Sequence, residues 1–366
     1  MAPEPNRYSS VTVADVARSA GVSKATAARV LGGYGTVSDR VRDAVIAAAK
    51  KLDYRPNELA RSMTTGRSGT IGVVVGDIEN PFFSQAMRGI TDVARLAGFT
   101  VILMNSGENV DAEKDAIRTL LAKRVDGLIV SLARESETDH LQEILRSGRP
   151  LALLDRGSSL LDVDTVISND RDTARDVTKR LIALGHRRIA YLTACDTADH
   201  MFHDPADIQT GSVRRRIEGY LEVCQETEIP DAEKWVRVGA ISPEATEVIV
   251  TELLQAPVRP SAIIASDSVI GLAAFKASRA LDLKLPRDLS LMSFHDADWT
   301  SVTSPPVTVV RQPVYQLGEA AAKLLVERLS GDEKGPTRRV VLPMSLIERD
   351  SVGPAPMSTR NTSAAM

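Results

Sequence analysis

The chain has 366 residues, 43% of them hydrophobic, enough for two or three domains with packed cores, and a formal net charge of −3. That near-neutral total argues against a uniformly basic nucleic-acid binder, but the charge is uneven. Residues 1–68 hold eleven Lys and Arg against six Asp and Glu, which leaves the remainder with eight net negative charges. Cys195 and Cys224 form no CxxC pair, and no apolar N-terminal run reads as a signal peptide or membrane span. A cytoplasmic chain with reduced thiols and no membrane partner is expected.

After residues 1–10, which read as disordered, two short amphipathic patterns meet at Gly21. Thr12 can cap the first helix, with Asp15 three positions on, and Val13, Val16 and Ala17 form its inward stripe. Ser23 can cap the second, placing Lys24, Ala25 and Thr26 in its first turn and Arg29 one turn further along. Small, polar and basic residues on the outer face suit a recognition helix meeting base edges and phosphates, so the pair reads as a helix-turn-helix. The sequence Gly32-Gly33-Tyr34-Gly35 is a connection, because no strand precedes it and no Gly-Lys-Ser/Thr follows. A third helix opens at Ser38, and Tyr54 lies near the end of a head spanning residues 11–56. Residues 57–69 read as a short hinge helix and a small-residue linker.

From residue 70 the pattern changes to apolar runs at 71–75, 101–104, 127–130, 151–154, 189–192, 262–265 and 289–294, alternating with amphipathic helices. This predicts an α/β body of doubly wound parallel sheets over residues 70–350, and the restart near Ile189 implies two lobes with a cleft between them. Residues 351–366 read as a disordered tail. Ligands in such folds bind at the carboxyl ends of strands, where the sequence places Asp155-Arg156, Asn169-Asp170, Arg216 just before Gly219-Tyr220, and Ser266-Asp267. An arginine together with a carboxylate suits vicinal hydroxyls, so Arg216 and Asp267 favour a small polar effector, a sugar or sugar derivative.

Asp15-Val16-Ala17, Ala20-Gly21-Val22-Ser23, Thr26 and Arg29-Val30-Leu31 together resemble the signature of the lactose-repressor (LacI/GalR) family of bacterial transcription regulators. Leu52-Asp53-Tyr54-Arg55-Pro56-Asn57, Asn80-Pro81-Phe82-Phe83, Arg124-Val125-Asp126-Gly127, Leu184-Gly185-His186 and Gln312-Pro313 extend the resemblance over residues 11–349. It implies a body like that of periplasmic sugar-binding proteins, with interlobe crossings near residues 164–169, 304–311 and 331–339. It also implies a homodimeric repressor on pseudo-palindromic double-stranded operator DNA. Thr12, Ser23, Lys24, Ala25, Thr26, Arg29, Ser38, Tyr54, Asn57 and Met63 take the DNA-contact positions. Arg156, Asn169, Arg216 and Asp267 take the effector-contact positions, and Phe82 and Phe83 wall the pocket.

This chain departs from the family pattern in several places. Met63 stands where a leucine commonly wedges into the minor groove, Thr64 where a basic residue often follows, Gly32 for an asparagine and Ala28 for a serine. Asn169-Asp170 reverses the commoner order. An enzyme would need a nucleophile elbow, a P-loop or a dinucleotide fingerprint, and none is evident, so no catalytic residue and no cofactor is expected. His200, His203 and Asp204 lack a further well-spaced ligand and predict no metal site. A sugar-binding transport-type protein without DNA function would share the body, but it would need an export signal and would have no use for a basic head.

Overall fold

The computed structural model describes residues 11–32, 35–54, 66–195, 197 and 200–356. The expected hinge positions Asn57 and Met63 lie outside these residues. The chain divides into two units after Gly69.

The head unit contains α1 (Val13–Ala20), α2 (Lys24–Gly32) and α3 (Asp39–Lys51). Thr12 and Asp15 form a reciprocal capping box at the start of α1, and Gly21 ends that helix in the left-handed conformation at φ 66°. The Ser23 hydroxyl accepts from the Thr26 amide at 3.1 Å and starts α2. Val16, Ala17, Ala27, Val45 and Ala48 form the buried core, with Leu52 and Tyr54 packed against it. So small a core, with about 1.5–3 kcal/mol available from each buried valine, makes the helix caps matter to this unit.

The second unit contains two six-stranded sheets. The first has the order β11 (Arg339–Leu342), β5 (Asp164–Ser168), β4 (Leu151–Leu154), β3 (Gly127–Val130), β1 (Thr70–Val75), β2 (Thr100–Asn105). The second has the order β12 (Ser345–Ile347), β10 (Thr308–Arg311), β9 (Ser290–Phe294), β8 (Ala262–Ala265), β6 (Ile189–Leu192), β7 (Val236–Arg237). Taken in order, each strand of one sheet has a counterpart in the other, so the lobes are repeats of one architecture. All pairings are parallel except β10 with β12. The inner strands are buried throughout because helices cover both faces, which explains their continuous Val, Ile and Leu runs.

The chain passes between lobes three times. The first passage is at Asn169, between β5 and α7 (Asp170–Ala183), within the expected range. The second lies at Gln312-Pro313, between β10 and α12 (Val314–Ser330), which packs on α4 (Pro81–Leu96) of the first lobe. The third lies at Pro343-Met344, between β11 and β12. The last two fall later than expected because most of residues 304–311 and the end of 331–339 belong to elements of a single lobe. Gly331 instead ends α12 in the left-handed conformation.

The expected tail also begins too early. The Ser351 hydroxyl donates to the Leu291 carbonyl at 2.6 Å, His186 bonds to the Gly353 carbonyl at 3.0 Å, and the Ala355 amide donates to Leu184 at 2.8 Å. Residues 351–355 therefore complete the second lobe.

Candidate functional site

On the head, Lys24, Ala25 and Arg29 of α2 are exposed, as are Ser23 and Ser38 beside the helix starts. The hydroxyls of Thr12 and Thr26 are engaged locally: Thr12 Oγ1 donates to Asp15 at 2.7 Å, and Thr26 Oγ1 lies 2.8 Å from Ser23 Oγ. Ser38 makes no capping bond through its side chain. Tyr54 is half-buried against the head core, and desolvation raises its phenol pKa. The outward charge of α2 thus comes from Lys24 and Arg29, while several neighbouring candidates shape the helices that present them.

In the second unit, strand ends from both lobes meet around a cleft of about 350 Å³. Lobe one contributes Glu108 beyond β2 and Asp155-Arg156 after β4. Lobe two contributes Ser266-Asp267 after β8 and His295 after β9. Asp155 and His295 follow corresponding strands of the two sheets and share a left-handed backbone, at φ 66° and 69°. Each amide also donates to the neighbouring strand, Asp155 to Val166 at 2.8 Å and His295 to Val310 at 2.9 Å. The same bend therefore delivers a polar side chain to the cleft from each lobe. A larger space of about 840 Å³, lined by Arg187, Trp235 and Leu253 among others, contains none of these strand-end residues.

Of the six expected effector contacts, Phe82, Phe83, Arg156, Arg216 and Asp267 line the cleft together. Asn80 caps α4 by accepting from the Phe82 amide at 3.0 Å, and the two phenyl rings pack edge to face, their centroids 5.2 Å apart. Asn169 does not line it. Its Oδ1 accepts from the Met344 amide at 2.8 Å, so its side chain ties the first crossing to the third, because the reversed Asn-Asp order puts the asparagine on the hinge and Asp170 on the helix.

Arg216 and Asp267 do not pair with each other. Arg216, buried on α8 (Gly211–Glu226), donates Nε to Asp170 at 2.7 Å and Nη1 to the Ser266 carbonyl at 3.0 Å, with its guanidinium 4.3 Å above the Phe294 ring. Burial opposes its charge, but Asp170 together with Tyr191 and Asp155 outweighs burial, so its pKa is raised. Burial pushes the Asp170 carboxyl up to about 6 against the pull of Arg216. Asp267 instead caps α10 (Ser268–Ala280), accepting from the Val269 and Ile270 amides at 2.8 and 2.9 Å. Two helix amides hold its Oδ1, which is why it is not drawn to the arginine. Burial nevertheless raises its pKa.

Arg156 forms a two-pronged ion pair with Glu108, with Nη2 to Oε1 at 2.8 Å, and donates Nη1 to the Leu132 carbonyl at 2.7 Å. Glu108 fits only because residue 76 is glycine: a Cβ there would stand 2.1 Å from Glu108 Oε1. Glu108 and His295 were not singled out from the sequence, although the strand-end rule reaches both, and Asp155 and Asp170 were named only as neighbours of Arg156 and Asn169. The pairing of Asp170 with Arg216 is recognisable only from the structure. Burial lowers the His295 pKa and favours the neutral ring, which lies 3.0 Å from Ser268 Oγ and 3.3 Å from Gln85 Nε2 of lobe one. Among the described residues no group of three or more His, Cys, Asp or Glu is arranged to hold a metal, and Asp204 caps a short 3-10 turn, accepting from the Ala206 amide at 2.8 Å. No helix among them is long and apolar enough to cross a membrane.

A helix-turn-helix head joined to a body of two repeated lobes around a polar cleft defines a DNA-binding regulator with a ligand-binding domain. Residues 12–57 match the model for bacterial regulatory proteins of the lacI family, and residues 178–352 match a periplasmic binding protein-like domain. The chain is 30% identical over 348 residues to the HTH-type transcriptional repressor PurR of Proteus mirabilis, covering 94% of this chain and 98% of that protein. A lac repressor dimer bound to operator and the anti-inducer ONPF aligns with a TM-score of 0.80 and 27% identity, over 94% of this chain and 99% of that one. The regulator CelR in complex with cellobiose aligns at 0.67 and 28%, over 93% and 99%. The chain belongs to the lacI family and is a DNA-binding transcription regulator, not a transport-type binding protein without DNA function.

Proposed function

We propose that the protein is a repressor that binds a pseudo-palindromic double-stranded operator as a homodimer, its affinity switched by a sugar or sugar derivative in the interlobe cleft. The observation that carries this reading is the convergence of five expected contacts, Phe82, Phe83, Arg156, Arg216 and Asp267, on one cleft in a chain that also bears a helix-turn-helix. The operator and anti-inducer bound to the lac repressor dimer and the cellobiose bound to CelR support it by likeness.

In this reading Lys24, Ala25, Thr26 and Arg29 meet base edges and phosphates, helped by Thr12, Ser23, Ser38 and Tyr54. Asn57 and Met63 would act at the hinge, with the methionine as the minor-groove wedge. The protein works in the cytoplasm at the nucleoid and catalyses no reaction. One head reads few base pairs, so a twofold dimer is needed for useful specificity.

Thermal melting of the full chain against mono- and disaccharides and nucleosides tests the cleft, since a ligand at about a hundred times its Kd adds about 2.7 kcal/mol of stability. A stabilising sugar that also changes DNA affinity is the expected result. Stabilising ligands that all leave DNA affinity unchanged would contradict it.

A further inference from the structure

The charges around the cleft are unequal once each is matched with its partner. Arg156 is paired with Glu108, Arg216 with Asp170, and Arg134 with Glu137 at 2.7 Å. Every guanidinium lining the cleft therefore already faces a carboxylate. Two further carboxylates, one on each wall, exceed these pairs: Asp267 forms no ion pair among the described residues, and Asp155 only shares Arg156 with Glu108.

Asp155 is buried, and its Oδ1 has no hydrogen-bond partner among the described residues. Its Oδ2 accepts from Ser212 Oγ at 3.3 Å and lies 3.7 Å from Arg156 Nε, whose fork is directed to Glu108. Asp267 gives Oδ1 to two backbone amides and forms no ion pair among the described residues. A free Asp155 oxygen and the second oxygen of Asp267 thus offer hydrogen-bond acceptors, and a ligand fills them by bringing donors.

Resting on the cleft as the effector site, we infer that this cleft selects a polyhydroxylated ligand with no anionic group, and gains affinity when a ligand hydroxyl is replaced by an ammonium facing Asp155 or Asp267. A phosphate or carboxylate would meet carboxylates on both walls and find no unmatched arginine. Hydroxyls satisfy the acceptors neutrally, and an ammonium adds charge complementarity at low dielectric.

The test is calorimetric titration of the full chain with matched sets built on glucose, galactose, ribose and cellobiose: the neutral sugar, an amino sugar, a sugar phosphate and a uronic or aldonic acid. Anionic members are expected to bind at least about tenfold more weakly than their neutral parents, and at least one amino sugar more tightly than its parent. Asp155→Asn with Asp267→Asn should shrink both differences, since asparagine keeps the helix cap at residue 267. An anionic member that binds more tightly than its parent, or differences unmoved by the double variant, would overturn the inference.

Ala194→Trp, an exposed position on the cleft wall, fills the space without touching these charges. Binding that survives it lies elsewhere and overturns the cleft reading itself, whatever the charge preference. Should no member of the panel bind, the melting temperature of the unliganded Asp155→Asn variant decides. A rise follows from removing the second of two buried carboxylates that share one arginine, and a fall shows the carboxylate to be fully matched and overturns the inference.

Discussion

The carboxylate of Glu135, on a loop of lobe one, occupies the place that a Cβ on Gly211 of lobe two would fill: Glu135 Oε1 is 1.6 Å from where that atom would stand. This close approach lets Glu135 reach Arg214 at 2.5 Å and Arg215 at 3.2 Å, a clasp across the mouth of the cleft. Ser136 Oγ donates to Gln209 Oε1 at 3.2 Å on the same side.

Gly211→Ala is therefore expected to expel Glu135 and open the clasp. Glu135→Gln weakens it with less disturbance, by about 1–3 kcal/mol, because a charged acceptor is lost from a nearly buried site. Small-angle scattering of the free protein should show a larger radius of gyration for Gly211→Ala than for the parent. An unchanged radius together with an unchanged melting temperature would show that the clasp holds nothing.

Arg216 and Asp170 are a buried pair, and removing one partner strands the other. Arg216→Ala and Asp170→Ala should each lower stability by about 3–5 kcal/mol, with the double variant costing much less than their sum. Chemical denaturation of the four proteins measures the coupling, and additive losses would exclude it.

Substitutions on α2 should leave stability alone, because Lys24 and Arg29 are exposed. Replacing a base-reading side chain costs about 1–3 kcal/mol and relaxes specificity at one position, whereas losing a phosphate contact weakens all sequences and lowers the salt slope by about one. Gel-shift titrations of Lys24→Ala and Arg29→Ala at several salt concentrations separate the two. Unchanged binding in both would remove α2 from the interface.

His186 sets a pH dependence. Its ring lies 2.9 Å from Ser261 Oγ and 3.0 Å from the Gly353 carbonyl, and burial lowers its pKa below 6.5. The unfolded chain therefore takes up the proton first, so this stability is complete above about pH 6.5 and is lost as pH falls, by at most about 1.4 kcal/mol per unit. His295 has the same sign, while Asp170, raised to about 6, acts in the opposite sense between about pH 6 and 4. His186→Gln should flatten the fall in melting temperature between about pH 7 and 5.5. An equally steep fall would mean that His186 is not the group responsible.

Most strands legible in the sequence, such as β3, β4, β6 and β8, are buried on both faces, while the edge strand β2 was legible from its apolar run alone. β5 and β10 were hidden because they carry polar residues inside the sheet: Asp164 is buried yet held by Arg328 at 2.9 Å, and Thr308 bonds to Arg349 and Ser351. Missing β10 and the edge strand β11 displaced the second and third crossings. The strand-end rule found Arg156, Asp170 and Asp267 but not the pairing of Asp170 with Arg216, since the two lie 46 residues apart on different helices. Asn169 was misplaced for a related reason, as its bond to Met344 depends on a crossing that local pattern does not locate.

Coupling between the head and the cleft is tested most directly on DNA recovered from a random double-stranded library by the full chain. Anisotropy titration of the recovered sequence, with and without the sugar that most raises the melting temperature, should show twofold-related half-sites and an affinity change of about five- to 150-fold. Recovery of no common sequence, or equal affinity with and without the sugar, would contradict a ligand-switched repressor.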